Sequence, residues 1–230
     1  MNMIYEGLAQ HGMAVFTHEQ SAGRGQRGRS WASERGKNIA ISVVISPAAL
    51  ALTNPFKLSA STALAVHDFF SRYAGEETSV KWPNDLYWRD RKAGGILIEN
   101  TIRSNSLEKN NWSWAVIGIG ININQHSFPE GLSKAVSLKQ ICGKEFDPLQ
   151  LAHELCKRLQ SRLQQLASEP FQKILHTYNE SLFMRGEKVR LKKGTRVFEA
   201  VIKEVNEAGQ LIARTTLEEQ FSFGEIEWVL

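Results

Sequence analysis

Apolar positions along this chain follow two different rhythms, and the change from one to the other divides it. From about residue 14 to residue 182, compact apolar runs alternate with stretches of helical spacing. Residues 3–10 predict a short helix and residues 14–19 a strand. Residues 38–45 are nearly all apolar and predict a strand. Asn54-Pro55 supplies a helix cap and first position. Behind it Phe56, Ala60, Ala63, Val66, Phe70 and Tyr73 recur at helical spacing. Strands are expected over 79–82, 94–100 and 112–123, with the polar stretch Arg103–Asn111 as a hairpin connection between the last two. Asp147-Pro148 opens a second helix carrying Ala152, Leu155, Leu159, Leu163 and Leu166. Pro170 falls in the first turn of a third, with Phe171, Ile174, Tyr178 and Leu182.

After Arg185-Gly186 the period drops to about two. Five short strands are expected at 188–191, 196–205, 210–214, 219–223 and 226–229, separated by Gly and polar turns, which suggests a small β-barrel. The boundary lies near Met184–Glu187, giving one unit over 1–185 and another over 186–230. The expected fold is α+β: a mixed or largely antiparallel sheet with helices mainly on one face, then the small barrel.

Composition narrows the functional classes. No stretch approaches the roughly 18 apolar residues of a membrane span, and the start lacks a charged-then-apolar signal pattern. A cytoplasmic protein that does not enter a membrane is expected. Cys142 and Cys156 then read as reduced thiols. The net charge of +4 has a definite address: Arg24, Arg27, Arg29, Arg35 and Lys37 stand against Glu34 alone, which accounts for the whole excess. A focused cationic loop suits a small polyanion, whereas a DNA reader spreads charge along a face.

Four patches carry chemistry. Gly23-Arg24-Gly25-Gln26-Arg27-Gly28-Arg29-Ser30-Trp31 combines glycines that admit close backbone approach with arginine forks for phosphate or carboxylate and a ring able to stack on a purine. It lacks the Gly-Lys-Ser/Thr ending of a Walker loop. As a bare Gly-Arg segment it also reads as RNA-binding. In Lys81-Trp82-Pro83-Asn84-Asp85 the proline stops a strand and leaves Asn84 and Asp85 at its mouth. Asp85 there can hold Mg²⁺ beside a nucleotide or simply make a turn. Lys92-Ala93-Gly94-Gly95-Ile96-Leu97-Ile98-Glu99 sets a point charge beside two glycines, and Gly118-Ile119-Gly120-Ile121-Asn122 places glycines inside a strand.

Order and spacing make these four more than the sum of ambiguous parts. The chain resembles biotin–protein ligases, whose signatures include a Gly-Arg-Gly…Gly-Arg-x-Trp loop, Lys-Trp-Pro-Asn-Asp, Lys-x-Gly-Gly-Ile-Leu-x-Glu and Gly-Ile-Gly-Ile-Asn. The resemblance implies a core like that of class II aminoacyl-tRNA synthetases with a C-terminal SH3-like barrel. It implies activation of biotin by ATP and Mg²⁺, then transfer to a lysine of a biotin carboxyl carrier protein. On that basis Gln20, Gly23, Arg24, Lys92, Gly94 and Gly95 would line the biotin side. Arg29, Trp31, Lys81, Asn84, Asp85 and Asn122 would serve ATP, with Asp85 as the Mg²⁺ ligand. Lys92, Arg24 and Arg29 would act on the reacting groups.

Some features depart from the family pattern. Family members carry a Ser-Thr-Asn segment before the first helix; here Met1-Asn2-Met3 stands almost where that helix starts, and the motif is absent. A start codon placed too far downstream is the expected reason, testable by restoring upstream codons; a truncated binding relic without turnover is the other reading. Gln26 stands where some members have arginine. Residues 1–13 are too few for the DNA-binding domain of repressor members, so no DNA partner is expected. A homodimer through sheet edges is compatible with the pattern. Lipoate and octanoate ligases share the fold and are the remaining alternative.

Overall fold

The computed structural model describes residues 2–102, 112–132 and 134–229. The connection expected at Arg103–Asn111 lies outside the described residues. In chain order the elements are α1 (Asn2–Tyr5), β1 (Ala14–Phe16), β2 (Ile39–Ile45), α2 (Pro55–Ala74), β3 (Thr78–Lys81) and β4 (Asp85–Trp88). Then come β5 (Arg91–Ile102), β6 (Trp112–Ile121), α3 (Leu138–Cys142), α4 (Pro148–Ser168) and α5 (Phe171–Glu180). The last part contains β7 (Lys188–Lys193), β8 (Arg196–Val205), β9 (Leu211–Arg214), β10 (Glu218–Phe221) and β11 (Glu227–Trp228).

Six strands form one sheet in the order β1-β2-β6-β5-β4-β3. Every pairing in it is antiparallel, so the sheet is not mixed. Register gives its two faces different chemistry. Ile41, Ile119 and Ile96 lie in one cross-strand row, and Ala40, Gly120 and Gly95 in the next. Successive residues point to opposite sides of a strand, so the two rows face opposite ways. The isoleucine rows join Leu58, Leu64, Phe69 and Phe70 of α2 and Leu155 and Leu159 of α4 in one core. Each such side chain contributes about 1.5–3 kcal/mol on burial. Both long helices pack on that side and on each other.

The helix starts follow from their caps. Asn54 accepts a hydrogen bond from the Phe56 amide, and Asp147 accepts from those of Leu149 and Gln150. Each cap is worth about 1 kcal/mol. Two elements were not anticipated. β4 is the return arm of a tight hairpin, because the chain turns at Pro83-Asn84 and pairs Asp85 opposite Lys81. α3 starts at a capping box in which Ser137 and Gln140 satisfy each other's backbone amides. Several boundaries also differ: β1 ends at Phe16 rather than 19, and β5 runs Arg91–Ile102 rather than 94–100. α1 is shorter than the 3–10 span, and Pro170 precedes α5 as its cap.

The C-terminal strands form a second antiparallel sheet, ordered β10-β9-β8-β7-β11. Its edge strands β10 and β11 are not paired to each other among the described residues, so hydrogen bonding does not close it into the expected barrel. Buried Asn179 of α5 joins it to the rest, donating to the Val205 carbonyl at 3.0 Å and accepting from the Val205 amide at 2.7 Å. The Trp82 indole also donates to the Gly209 carbonyl at 3.0 Å. No helix among the described residues is long and apolar enough to cross a membrane.

Candidate active site

The helix-free face of the larger sheet is floored with small residues. Gly95, Gly118 and Gly120 lie there with Ala40 and Ser42, all set by register. A Cβ at Gly120 would stand 2.5 Å from the Trp31 ring, so the indole rests directly on the backbone of β6. Any larger residue at 120 would lift it off. Gly94 and Gly95 point opposite ways and have separate tasks. Gly95 opens toward Asp85 and Lys92, while a Cβ at Gly94 would meet the Gly120 carbonyl at 2.7 Å.

Above this floor the Gly-Arg segment forms an ordered hairpin. The Trp31 amide donates to the Gly23 carbonyl at 2.8 Å and the Gly25 amide to that of Arg29 at 2.7 Å. Arg27 (φ 56°, ψ 40°) and Gly28 (φ 75°) form the central pair of the turn, both left-handed. Such turns match the twist of paired strands, but a non-glycine residue there costs on the order of 1 kcal/mol. A Cβ at Gly23 would collide with the Trp31 carbonyl and touch the Gln20 side chain, so the base of the hairpin requires glycine. Arg24 on its flank donates to Glu99 at 2.8 Å, tying the hairpin to β5. Gln26 lines a cleft of about 310 Å³ shared with Phe56, Trp82, Asn84, Gly209 and Phe223.

Charge gathers at the other end of the floor. Lys92 meets Asp85 at 2.6 Å, both part-buried. Lys81, opposite Asp85 in the β3–β4 ladder, is 8% exposed. Burial pulls its ammonium down to about 8; Asp85 opposes that shift, while Lys92, Lys134 and Arg29 reinforce it. It donates to the Tyr87 hydroxyl at 3.1 Å. The Arg29 side chain has no hydrogen-bond or ion-pair partner among the described residues. Lys92, Lys134 and Arg29 thus add their charge to that of Lys81 against the Asp85 carboxylate, a field that favours an anionic ligand. Magnesium that arrives on phosphates needs only one or two carboxylates, and Asp85 fits that requirement. Among the described residues no cluster of three His, Cys, Asp or Glu forms a dedicated metal cage.

The asparagines of the motifs are largely committed to backbone. Asn84 donates to the Ile96 carbonyl at 2.6 Å. Asn122 is buried and donates to the Val136 carbonyl at 3.2 Å, which anchors the segment bearing Lys134. That segment also bonds the Lys92 backbone from both sides. Most of the sequence-expected residues thus converge on one face, with Gln20, Gly23 and Arg24 at the hairpin base and Lys81, Asp85, Lys92 and Arg29 at the charged end, whereas Gly94 points to the opposite side and Asn122 is buried against backbone. Tyr87 and Lys134 were not anticipated, and Glu99, although part of the Lys92–Glu99 motif, had been given no role. Glu99 was readable from strand alternation, since Gly95, Leu97 and Glu99 share a face; the others carry no such signal.

A glycine-floored, cation-rich face under an arginine hairpin suits an anionic ligand that lies close to the backbone. Residues 4–122 match the Biotin/lipoate A/B protein ligase family, and the chain belongs to it. It is 36% identical over 142 residues to the bifunctional ligase/repressor BirA of Bacillus spizizenii, a match spanning 60% of this chain and 42% of that protein. It is 28% identical over 206 residues to the biotin–[acetyl-CoA-carboxylase] ligase of Paracoccus denitrificans, covering 87% and 83%. The biotin protein ligase of Aquifex aeolicus, solved in complex with biotin and ATP, superposes with a TM-score of 0.80 at 27% identity, covering 95% of this chain and 89% of that one.

Proposed function

We propose that this chain is an ATP-dependent biotin–protein ligase that forms biotinyl-5′-AMP and passes biotin to a lysine of a biotin carboxyl carrier protein. The observation that carries this reading is the convergence of Lys81, Lys92, Arg29 and Lys134 around Asp85 on the glycine floor. Family membership and the likeness to ligases of that name supply the substrate class.

A carboxylate is a poor acyl donor, and adenylation gives it a good leaving group. The biotin carboxylate oxygen attacks the α-phosphorus and pyrophosphate departs. Two anions must meet, so Lys92 stands between them and Arg29 and Lys81 take up phosphate charge. Asp85 would hold the Mg²⁺ that accompanies ATP, and that ion would supply further charge neutralisation. Such groups act most strongly where water is excluded. Gln20, Gly23, Arg24 and Gly95 line the biotin side, with Gly94 fixing β5 behind them. Trp31 offers its ring to the nucleotide, while Asn84 and Asn122 hold the backbone that frames it. The hairpin covers the mixed anhydride against hydrolysis. In the second step the carrier amine attacks the acyl carbon, AMP leaves and the amine loses a proton. No protein nucleophile is needed, consistent with two free cysteines away from the site.

The chain is read as two units, 1–185 and 186–230, the second an incompletely closed SH3-like sheet, and as a cytoplasmic protein. Biotin-dependent exchange of pyrophosphate into ATP is the test. Exchange that biotin supports, lipoate does not, and Lys92→Ala lowers about 10²–10³-fold fits the reading. No exchange by the folded chain sinks it.

A further inference from the structure

Lys81 is a cation in an unusual position. Its side chain is almost fully buried, and no carboxylate lies within ion-pair distance of it among the described residues. Only one of its three N–H bonds is accounted for, by the Tyr87 hydroxyl. Beside the charges of Asp85, Lys92, Lys134 and Arg29, two aromatic rings stand close to it. The ammonium lies 4.6 Å from the Tyr87 ring centroid and 5.3 Å from that of Trp228. Trp228 belongs to the C-terminal sheet, where it pairs with Leu191 of β7. Phe183 packs between the two rings, 4.9 Å from Tyr87 and 5.8 Å from Trp228. A buried ammonium is drawn to the face of an aromatic ring, and tryptophan is the strongest such partner.

The indole offers a second clue. Its N–H is buried and has no hydrogen-bond partner among the described residues. A tryptophan there is therefore not held for its donor, since an unpaired buried N–H is a cost. What remains to explain it is the ring face toward Lys81.

We propose that Trp228 is a positioning residue for Lys81: the last strand of the C-terminal sheet holds the buried ammonium in place for the triphosphate of ATP. This rests on the reading of Lys81 as a nucleotide-facing cation. Lys81 touches the ligand; Trp228 acts through it. The C-terminal sheet thereby contributes to nucleotide affinity without supplying a charged group of its own.

Binding of MgATP to the full chain, measured calorimetrically beside exchange kinetics, tests this with Trp228→Leu and Trp228→Phe. Trp228→Leu should weaken ATP binding about tenfold and raise the KM for ATP to match, tenfold being about 1.4 kcal/mol, while the KM for biotin stays within about twofold. Trp228→Phe keeps a ring face and loses the orphaned N–H, so its ATP affinity should stay within about threefold of the parent. Thermal unfolding of both variants reports on the fold. Unchanged ATP affinity in Trp228→Leu overturns the proposal, as does an equal loss in the Leu and Phe variants or a parallel loss of biotin affinity. Absence of ATP binding by the parent chain sinks the functional reading itself, and the proposal with it.

Discussion

The two faces of the six-stranded sheet are built from the same strands, residue by residue in alternation, yet they obey opposite rules. On one side Ile41, Ile96 and Ile119 interlock with α2 and α4, and size is what counts. On the other, Ala40, Gly95 and Gly120 withhold side chains, and their smallness lets Trp31 and the hairpin lie close. A single-residue step along β6 moves from a position where atoms are needed to one where they are forbidden. Stability and chemistry are thus written on alternate letters of one strand, and substitutions should separate them.

The largest expected effect is on the packed face. Ile119→Ala, at a site 2% exposed, should lower unfolding free energy by about 2–5 kcal/mol in denaturant titration, with the KM for both substrates kept in the folded fraction. Its neighbour Gly120→Val should do the reverse. Displacing the Trp31 ring by an ångström or more should reduce biotin-dependent exchange about 10²-fold, with a much smaller change in stability. If Gly120→Val retains activity, the open face is not where the ligands lie.

A third substitution sharpens the contrast on the charged end. Because the folded value of Lys81 is depressed to about 8 from 10.5, its charge opposes folding fully below about pH 8, and that penalty fades as pH rises toward 10.5. Lys81→Met should therefore be about 3 kcal/mol more stable than the parent at pH 7, with the gap narrowing between pH 8 and 10. A gap constant with pH would mean that the ammonium is not desolvated. The smallest effect belongs to the part-exposed Arg24–Glu99 pair, where Glu99→Gln should cost at most about 1 kcal/mol by thermal unfolding.

How much of this was legible in the sequence depended on distance along the chain. α2 and α4 announced themselves through Asn54-Pro55 and Asp147-Pro148, local signals that the side-chain caps bear out. α3 was equally local, with Ser137 and Gln140 three residues apart, and was overlooked because only five residues follow the cap. β4 was hidden by Pro83, which ends one strand as expected but also turns the chain into the next. Within the site, Lys92, Asp85 and the Gly-Arg segment stood out as motifs. The different tasks of Gly94 and Gly95 needed the register of β5 on β6. The aromatic setting of Lys81 had no local signal, since its rings come from two sheets.

That contact between Lys81 and Trp228 has a consequence in time as well as in space. A ribosome delivers the β3 lysine early and the β11 tryptophan late, roughly 150 residues apart, or ~7–30 s at common elongation rates of about 5–20 residues per second. Throughout that interval the larger sheet and its helices can gather around a lysine still wet on one side. The charged end of the open face is thus not finished until β11 arrives, well after the strands that carry its cations.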